Sequence, residues 1–307
     1  MKKVLLTGAS GFIGRHCLPA LIAHGYEVHA VSSRPRAAPV EDMSDCVHWY
    51  QADLLDAAQV SALLARVEPT HLLHSAWYAV PGAYWAAPEN FRWVEASLHL
   101  AQTFVARGGQ RVVVTGSCAE YDWRYGYCSE QVTPLRPATV YGICKHALQL
   151  MLDALCKQKN VSAAWGRLFF LYGQHEYAER LVASVIRALL QEQVARCSHG
   201  GQIRDFLYVH DAADALVALL DSDVNGAVNI ASGTPVMLRQ VVEEIAVQLG
   251  RPDLIKLGAL PAPEHEPRLL LADVARLRDE VKWSPQYDLA SGLAETIDWW
   301  KIQLQKQ

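Results

Sequence analysis

Short runs of β-branched and leucine residues alternate along the first half of the chain with longer segments whose apolar positions recur at helical spacing. Val4–Thr7 (VLLT) ends in a glycine-rich stretch, after which Arg15–His24 has helical composition with Pro19 inside it. Glu27–Ser32 (EVHAVS) and Val47–Ala52 (VHWYQA) read as strands, Ala57–Val67 as a helix and His71–Ala76 (HLLHSA) as a further strand. A tryptophan-rich segment from Trp77 to Pro88 leads into a helical pattern over Glu89–Arg107. Arg111–Thr115 (RVVVT) supplies another buried strand, followed by a helix over Thr139–Lys157 and a strand over Ala163–Leu171. This alternation predicts an α/β protein with a Rossmann, doubly wound parallel sheet.

Beyond residue 171 the punctuation changes. Helices are expected at Glu179–Gln193, Ala212–Asp221, Leu238–Leu249 and Ser291–Gln303, with strands at Asp205–Val209 and Ala227–Ala231. Pro252, Pro261, Pro263 and Pro267 mark residues 250–268 as a loop-rich wall. The expected layout is a dinucleotide-binding domain over residues 1–171, to which segments near 205–231 return, and a smaller C-terminal α/β substrate lobe over residues 172–307.

Composition narrows the function classes. Of 307 residues, 51% are apolar and 20% charged, ordinary globular usage that excludes a disordered chain or a coiled coil. A net charge of −4 without a long basic run argues against a nucleic-acid partner. Seven cysteines, odd in number and never spaced C-x-x-C, indicate neither a zinc site nor a complete disulfide framework, and reduced thiols in a cytoplasm fit best. The twelve histidines show no ligand-like cluster, so no metal is expected. The apolar run after Lys2 and Lys3 breaks at Gly8, so no leader peptide is expected. No stretch approaches the roughly 18 apolar residues of a membrane span.

Gly8, Gly11 and Gly14 fall as G-x-x-G-x-x-G between a strand and a helix, where small residues let the backbone approach a pyrophosphate and a helix N-terminus offers unpaired N–H groups. A dinucleotide site follows, to which Ser10, Phe12 and Ile13 and the strand ends at Leu54, Ser75 and Ala76 are expected to contribute. The second strand ends in Ser32, Ser33 and Arg34 rather than in the carboxylate of an NAD-preferring site. Ser33 and Arg34 are therefore expected to hold a 2′-phosphate, making NADP(H) the preferred cofactor and NAD(H) the alternative. The other reading of Arg34 and Arg36 is a solvated loop. Asp53 is placed either to meet the adenine amino group or to cap the next helix.

Tyr141 and Lys145 stand four residues apart, on one helical face, where an ammonium lowers a phenol's pKa toward values useful for proton exchange. Ser117 ends the strand RVVVT-Gly-Ser at the sheet edge where α/β proteins bind ligands, with its hydroxyl free to donate to a substrate carbonyl. Cys118 and Cys144 flank these residues and read as small buried thiols, with a redox switch as the alternative. Trp77, Trp85, Trp93 and Trp123 read as aromatic core by default.

With TGASGFIG at 7–14, TGSCAEY at 115–121, YGICK at 141–145, GRLFFLYG at 166–173 and RDFLYVHDAADA at 204–215, nearly the whole chain resembles the extended short-chain dehydrogenase/reductases, which include nucleotide-sugar epimerases, dehydratases and 4-ketoreductases. The resemblance implies Ser117, Tyr141 and Lys145 as catalytic residues, Lys145 also holding the nicotinamide ribose, and Arg204 on a substrate diphosphate. Cys118 is expected beside the substrate, and Arg268 with the proline-rich wall around it is expected to shape the pocket, although the relatives' second diphosphate arginine has no clear counterpart here. Dehydratases of this kind carry Asp-Glu directly after the catalytic hydroxyl; here Cys118-Ala119 stand there and Glu120 is shifted by one. Many epimerases hold asparagine where this chain has Phe170 and Trp93, and at least one of Phe169 and Phe170 reads as core.

The expected function is an NADPH-dependent reductase of a nucleotide-diphosphate-linked 4-keto-6-deoxy sugar. The alternatives are an NAD-dependent nucleotide-sugar 4-epimerase and a non-catalytic NADP-binding sensor. Relatives dimerise through two long helices, which implies a homodimer built on residues 89–107 and 139–157, with Val94, Leu98, Ala101, Val105, Leu148, Leu152 and Leu155 as candidate contacts.

Overall fold

The computed structural model describes residues 2–33, 46–261 and 266–306. In chain order its elements are β1 (Lys3–Thr7), α1 (Gly14–Ala23), β2 (Glu27–Ser32), β3 (Val47–Gln51), α2 (Ala57–Val67), β4 (His71–His74), α3 (Glu89–Ala106) and β5 (Arg111–Ser117). After β6 (Tyr127–Cys128) come α4 (Val140–Lys159), β7 (Ser162–Leu168), β8 (Phe170–Tyr172), α5 (Leu181–Leu190), β9 (Ala195–Arg196), β10 (Ile203–Tyr208), α6 (Val209–Asp221) and β11 (Gly226–Ile230). The chain ends through β12 (Pro235–Met237), α7 (Leu238–Leu249), β13 (Ile255–Lys256), β14 (Leu269–Ala272), α8 (Ala275–Asp279) and α9 (Leu289–Gln305).

Seven strands form one parallel sheet in the order β11-β7-β5-β4-β1-β2-β3. Its central strands are apolar on both faces because helices cover both. On one side Leu18 and Leu21 of α1 and Leu216 and Leu220 of α6 meet Val4, Leu6 and Val28; on the other, Leu64 of α2, Leu100 and Phe104 of α3 and Leu148 and Leu152 of α4 meet Leu5, Leu72 and Val112. The doubly wound Rossmann sheet is thus the observed fold. Its order reverses between β1 and β4, and at such a switch point the loops after the two strands diverge and leave a crevice at their carboxyl ends.

A second sheet, in the order β12-β10-β14-β6 with β8 paired to β10, forms the smaller C-terminal α/β part together with α5, α7 and α9. The apolar run expected as one strand over Ala163–Leu171 is two: β7 ends at Leu168 in the large sheet, and β8 starts at Phe170 in the second. Similarly β10 lies in the second sheet, while α6 and β11 return to the first. Of the apolar positions named on the two long helices, Ala101, Leu148 and Leu152 are buried, and Leu98, Val105 and Leu155 pack against the same core. The large apolar side chains that α3 and α4 expose are Phe91, Ile143 and Leu150. Among the described residues no helix is long and apolar enough to cross a membrane.

Candidate active site

A cleft of about 1280 Å³ opens at the switch point. Gly8, Ser10, Gly11, Phe12, Ile13 and Gly14 form one end of its wall, joined by Ser32 and Ser33 after β2, Asp53 and Leu54 after β3, and Ser75 and Ala76 after β4. The glycine turn is sterically required. Gly8 has φ +68°, and a β-carbon on Gly14 would overlap the Gly8 carbonyl. The first turn of α1 receives no side-chain cap; the Arg15 and His16 N–H groups donate to the Gly11 and Ile13 carbonyls, and the start of the helix lies at the cleft wall through Phe12, Ile13 and Gly14. Arg15 braces the turn by donating to the carbonyls of Gly11 and Ser10 at 3.1 and 2.6 Å. Thr7 Oγ1 accepts from the Ser75 and Ala76 N–H groups, tying β1 to the loop after β4.

Arg34 lies outside the described residues. At the end of β2 the Ser10 and Ser32 hydroxyls sit 3.2 Å apart. Asp53 does not cap α2: Asp56 does, accepting from Ala58 and Gln59, while Asp53 accepts from the Leu55 N–H and lines the cleft.

At the far end of β5, Ser117 enters the cleft with extended backbone, its Oγ accepting from the Ala119 N–H. Thr139 caps α4 through the Gly142 N–H, which sets Tyr141 in the first turn with its ring in the cleft, where the Ser117 hydroxyl also opens. Contrary to expectation, the phenol is held well above its ordinary pKa. Burial is the main cause and the nearby Ser117 hydroxyl opposes it. Lys145 does not lower it because its ammonium points elsewhere: it donates to the Thr115 carbonyl at 2.8 Å beneath the Trp77 ring, and is itself pulled down to about 7 by burial.

The four tryptophans read as core all line the cleft. Trp77, Tyr84 and Trp85 surround the Tyr141 ring with centroids 4.9 to 6.4 Å away, Trp85 meets Trp123 edge-on, and the Trp123 indole donates to the Cys118 carbonyl. Trp77 is itself fixed by donation to Asn90, whose amide holds the carbonyls of Tyr84 and Ala87. Cys118 lines the cleft as a thiol pushed up by burial, and Cys144 is buried. Phe169 is core, whereas Phe170 lies under the Arg204 guanidinium.

Arg204 reaches the cleft from β10 although only 2% exposed, donating to the Ile203 and Pro267 carbonyls beside Glu266. Arg268, in contrast, is exposed and does not line the cleft; its contribution is a carbonyl that accepts from the Ile203 N–H. Residues absent from the expected site are Arg180, whose guanidinium lies over the Tyr84 ring, and Glu176, pushed up to about 8 by burial. Glu176 sits in a loop without local periodicity, and Arg180, expected inside a helix from Glu179, instead precedes α5 as its N-cap residue; only the fold brings them to the cleft. Glu120, noted in the sequence only as displaced, is fully buried against Ser117 and ion-paired with Arg167.

The chain is 28% identical to the UDP-glucose 4-epimerase of Mycolicibacterium smegmatis over 99% of its own length and 100% of the relative's. It is also 28% identical to UDP-glucuronic acid decarboxylase 1 of Xenopus tropicalis, over 100% of this chain and 74% of that one. The solved structure of MoeE5 in complex with UDP-glucuronic acid and NAD superposes with a TM-score of 0.83 at 27% identity, covering 99% of this chain and all of that one. These findings overturn the NADPH-dependent reductase and the preference for NADP(H): the two curated relatives are by name an epimerase and a decarboxylase, and the MoeE5 structure holds NAD. The inference failed because a missing carboxylate is not by itself a phosphate site. Residues 4–231 match the NAD dependent epimerase/dehydratase family, and the chain belongs to that family of enzymes.

Proposed function

We propose that the chain is an NAD-dependent nucleotide-sugar 4-epimerase. The observation that carries this is the Ser117–Tyr141 pair, which offers proton exchange at a sugar hydroxyl, while the carboxylate nearest to it, Glu120, is fully buried and locked to Arg167. Elimination of water needs a free acid and base on the substrate's neighbouring carbons; Cys118 and Ala119 stand after the hydroxyl and supply neither. The epimerases among the relatives support the same reading.

The cleft fits NAD. The glycine turn, the uncapped start of α1, the Ser10–Ser32 pair and Asp53 would hold its adenosine and pyrophosphate, and Ser75 and Ala76 its nicotinamide half. Bound NAD supplies a reversible hydride acceptor. Tyr141 takes the proton of the sugar's 4-hydroxyl and returns it. The cycle begins and ends on the Tyr141 phenolate, which the Ser117 hydroxyl favours against the burial that raises its pKa, and the same hydroxyl can then donate to the substrate oxygen. Arg204 and Arg180 bring two cationic groups to the substrate half, suited to a diphosphate, and Trp85 and Trp123 offer flat walls to a sugar ring. Exposed Phe91, Ile143 and Leu150 support pairing of two chains through α3 and α4.

The test is interconversion of UDP-glucose and UDP-galactose, with other nucleotide hexoses in parallel. Tyr141→Phe is expected to lose roughly 100-fold or more in kcat while keeping NAD affinity. Wild-type enzyme that converts none of these sugars, or a Tyr141→Phe variant of full activity, excludes the reading.

A further inference from the structure

The buried Glu120 carboxylate is surrounded by donors. The Ser117 N–H donates to Oε1 at 2.7 Å, the Trp165 indole to both oxygens at 2.9 and 3.0 Å, and Arg167 Nε to Oε2 at 2.8 Å. Arg167 is in turn held by Gln149 Oε1 at 2.7 Å and by the Tyr121 hydroxyl, which donates onward to Asn229. Gly116 is a condition of this arrangement, because a β-carbon there would overlap the Trp165 indole nitrogen and come within 2.8 Å of Oε1.

A buried ion pair is a poor device for stability, since a well-packed apolar pair commonly does as well. An apolar pair cannot accept the Ser117 N–H. We propose that Glu120 is a positioning residue for Ser117: its carboxylate holds the Ser117 backbone from behind so that the hydroxyl faces Tyr141 and the substrate oxygen. Ser117 is gripped on both sides, its N–H by Glu120 and its Oγ by the Ala119 N–H, over three residues of a single turn. Glutamate suits the place because every neighbour donates, and a carboxylate only accepts. An amide would set an NH₂ against the indole, the guanidinium or the Ser117 N–H. The inference rests on Ser117 acting at the substrate oxygen as proposed above.

A double-mutant cycle on the NAD-loaded enzyme tests it, with Glu120→Gln, Ser117→Ala and the pair assayed on UDP-glucose. Glu120→Gln is expected to lower kcat about tenfold with KM and NAD affinity within about threefold, and to cost less than about twofold more in the Ser117→Ala background. An unchanged kcat, an equal loss in both backgrounds, or a loss confined to NAD affinity overturns the proposal. If the unpaired Arg167 prevents folding, Glu120→Gln with Arg167→Gln enters the same cycle with the same expectations, and failure of both to fold overturns it too. Amide hydrogen exchange at Ser117 decides independently of turnover: about tenfold faster exchange in the variant supports the proposal and unchanged exchange refutes it. An inactive wild type therefore removes the epimerase reading while the exchange arm still judges Glu120.

Discussion

The Lys145 ammonium lies 3.9 Å from the centre of the Trp77 ring, closed off from the cleft by an indole that Asn90 holds in place. Burial brings its pKa down to about 7, with the Glu120 charge opposing, against about 10.4 in an unfolded chain. Between those values the unfolded chain binds the extra proton, so stability rises as pH climbs from about 7 toward 10. Lys145→Met is expected to be at least as stable as wild type at pH 7, with the advantage closing toward pH 10. Urea denaturation at the two pH values measures this, and a variant less stable at pH 7 would refute it.

His16 is depressed to about 3 by burial and by His210, despite the Gln174 carbonyl that accepts from its ring. Its folded value lies below the unfolded one, so its contribution is complete above about pH 6.5 and is lost as pH falls below that. His16→Phe is expected to flatten the fall of the denaturation midpoint between pH 6.5 and pH 4, as read by urea titrations; an unchanged slope would place the acid sensitivity elsewhere.

Gly14→Ala drives a β-carbon into the Gly8 carbonyl and distorts the turn that faces the pyrophosphate. NAD affinity is expected to fall roughly tenfold or more with little change in circular dichroism. Calorimetric titration gives the answer, and wild-type affinity would exclude the turn as the cradle.

Leu150 and Ile143 stand two turns apart on α4, 57% and 52% exposed. Leu150→Glu is expected to halve the solution mass measured by light scattering at micromolar concentration. A wild type that already scatters as one chain ends the dimer proposal.

Much of the large sheet was legible because its signals are local. Asp56 and the glycine at 250 bracket α2 and α7, whose bounds the periodicity reproduces, and the glycine turn, Ser117 and Tyr141 lie within a few residues of strand or helix ends. The short strands β6, β9, β12 and β13 hold two or three residues each, too few for a period. The break at Phe169 is invisible in an apolar run because it is defined only by which neighbours each half pairs with. Trp85, Trp123 and Arg180 illustrate the remaining gap: side chains from separate loops become a wall only when the fold closes around Tyr141, and an aromatic residue's composition does not say which side of that wall it faces.

Phe169 alone separates the two sheets where β7 hands over to β8, β10 runs directly into α6, and only residues 231–234 lie between β11 and β12. The substrate half is therefore not a cassette. Grafting a foreign one would need splices at those three junctions and two more, one on either side of β6, all made together, whereas the loops 75–88 and 173–180 can be rewritten one side chain at a time. New sugar preferences on this scaffold are thus reached by local rewriting of those loops, and recombination of whole lobes is closed to it.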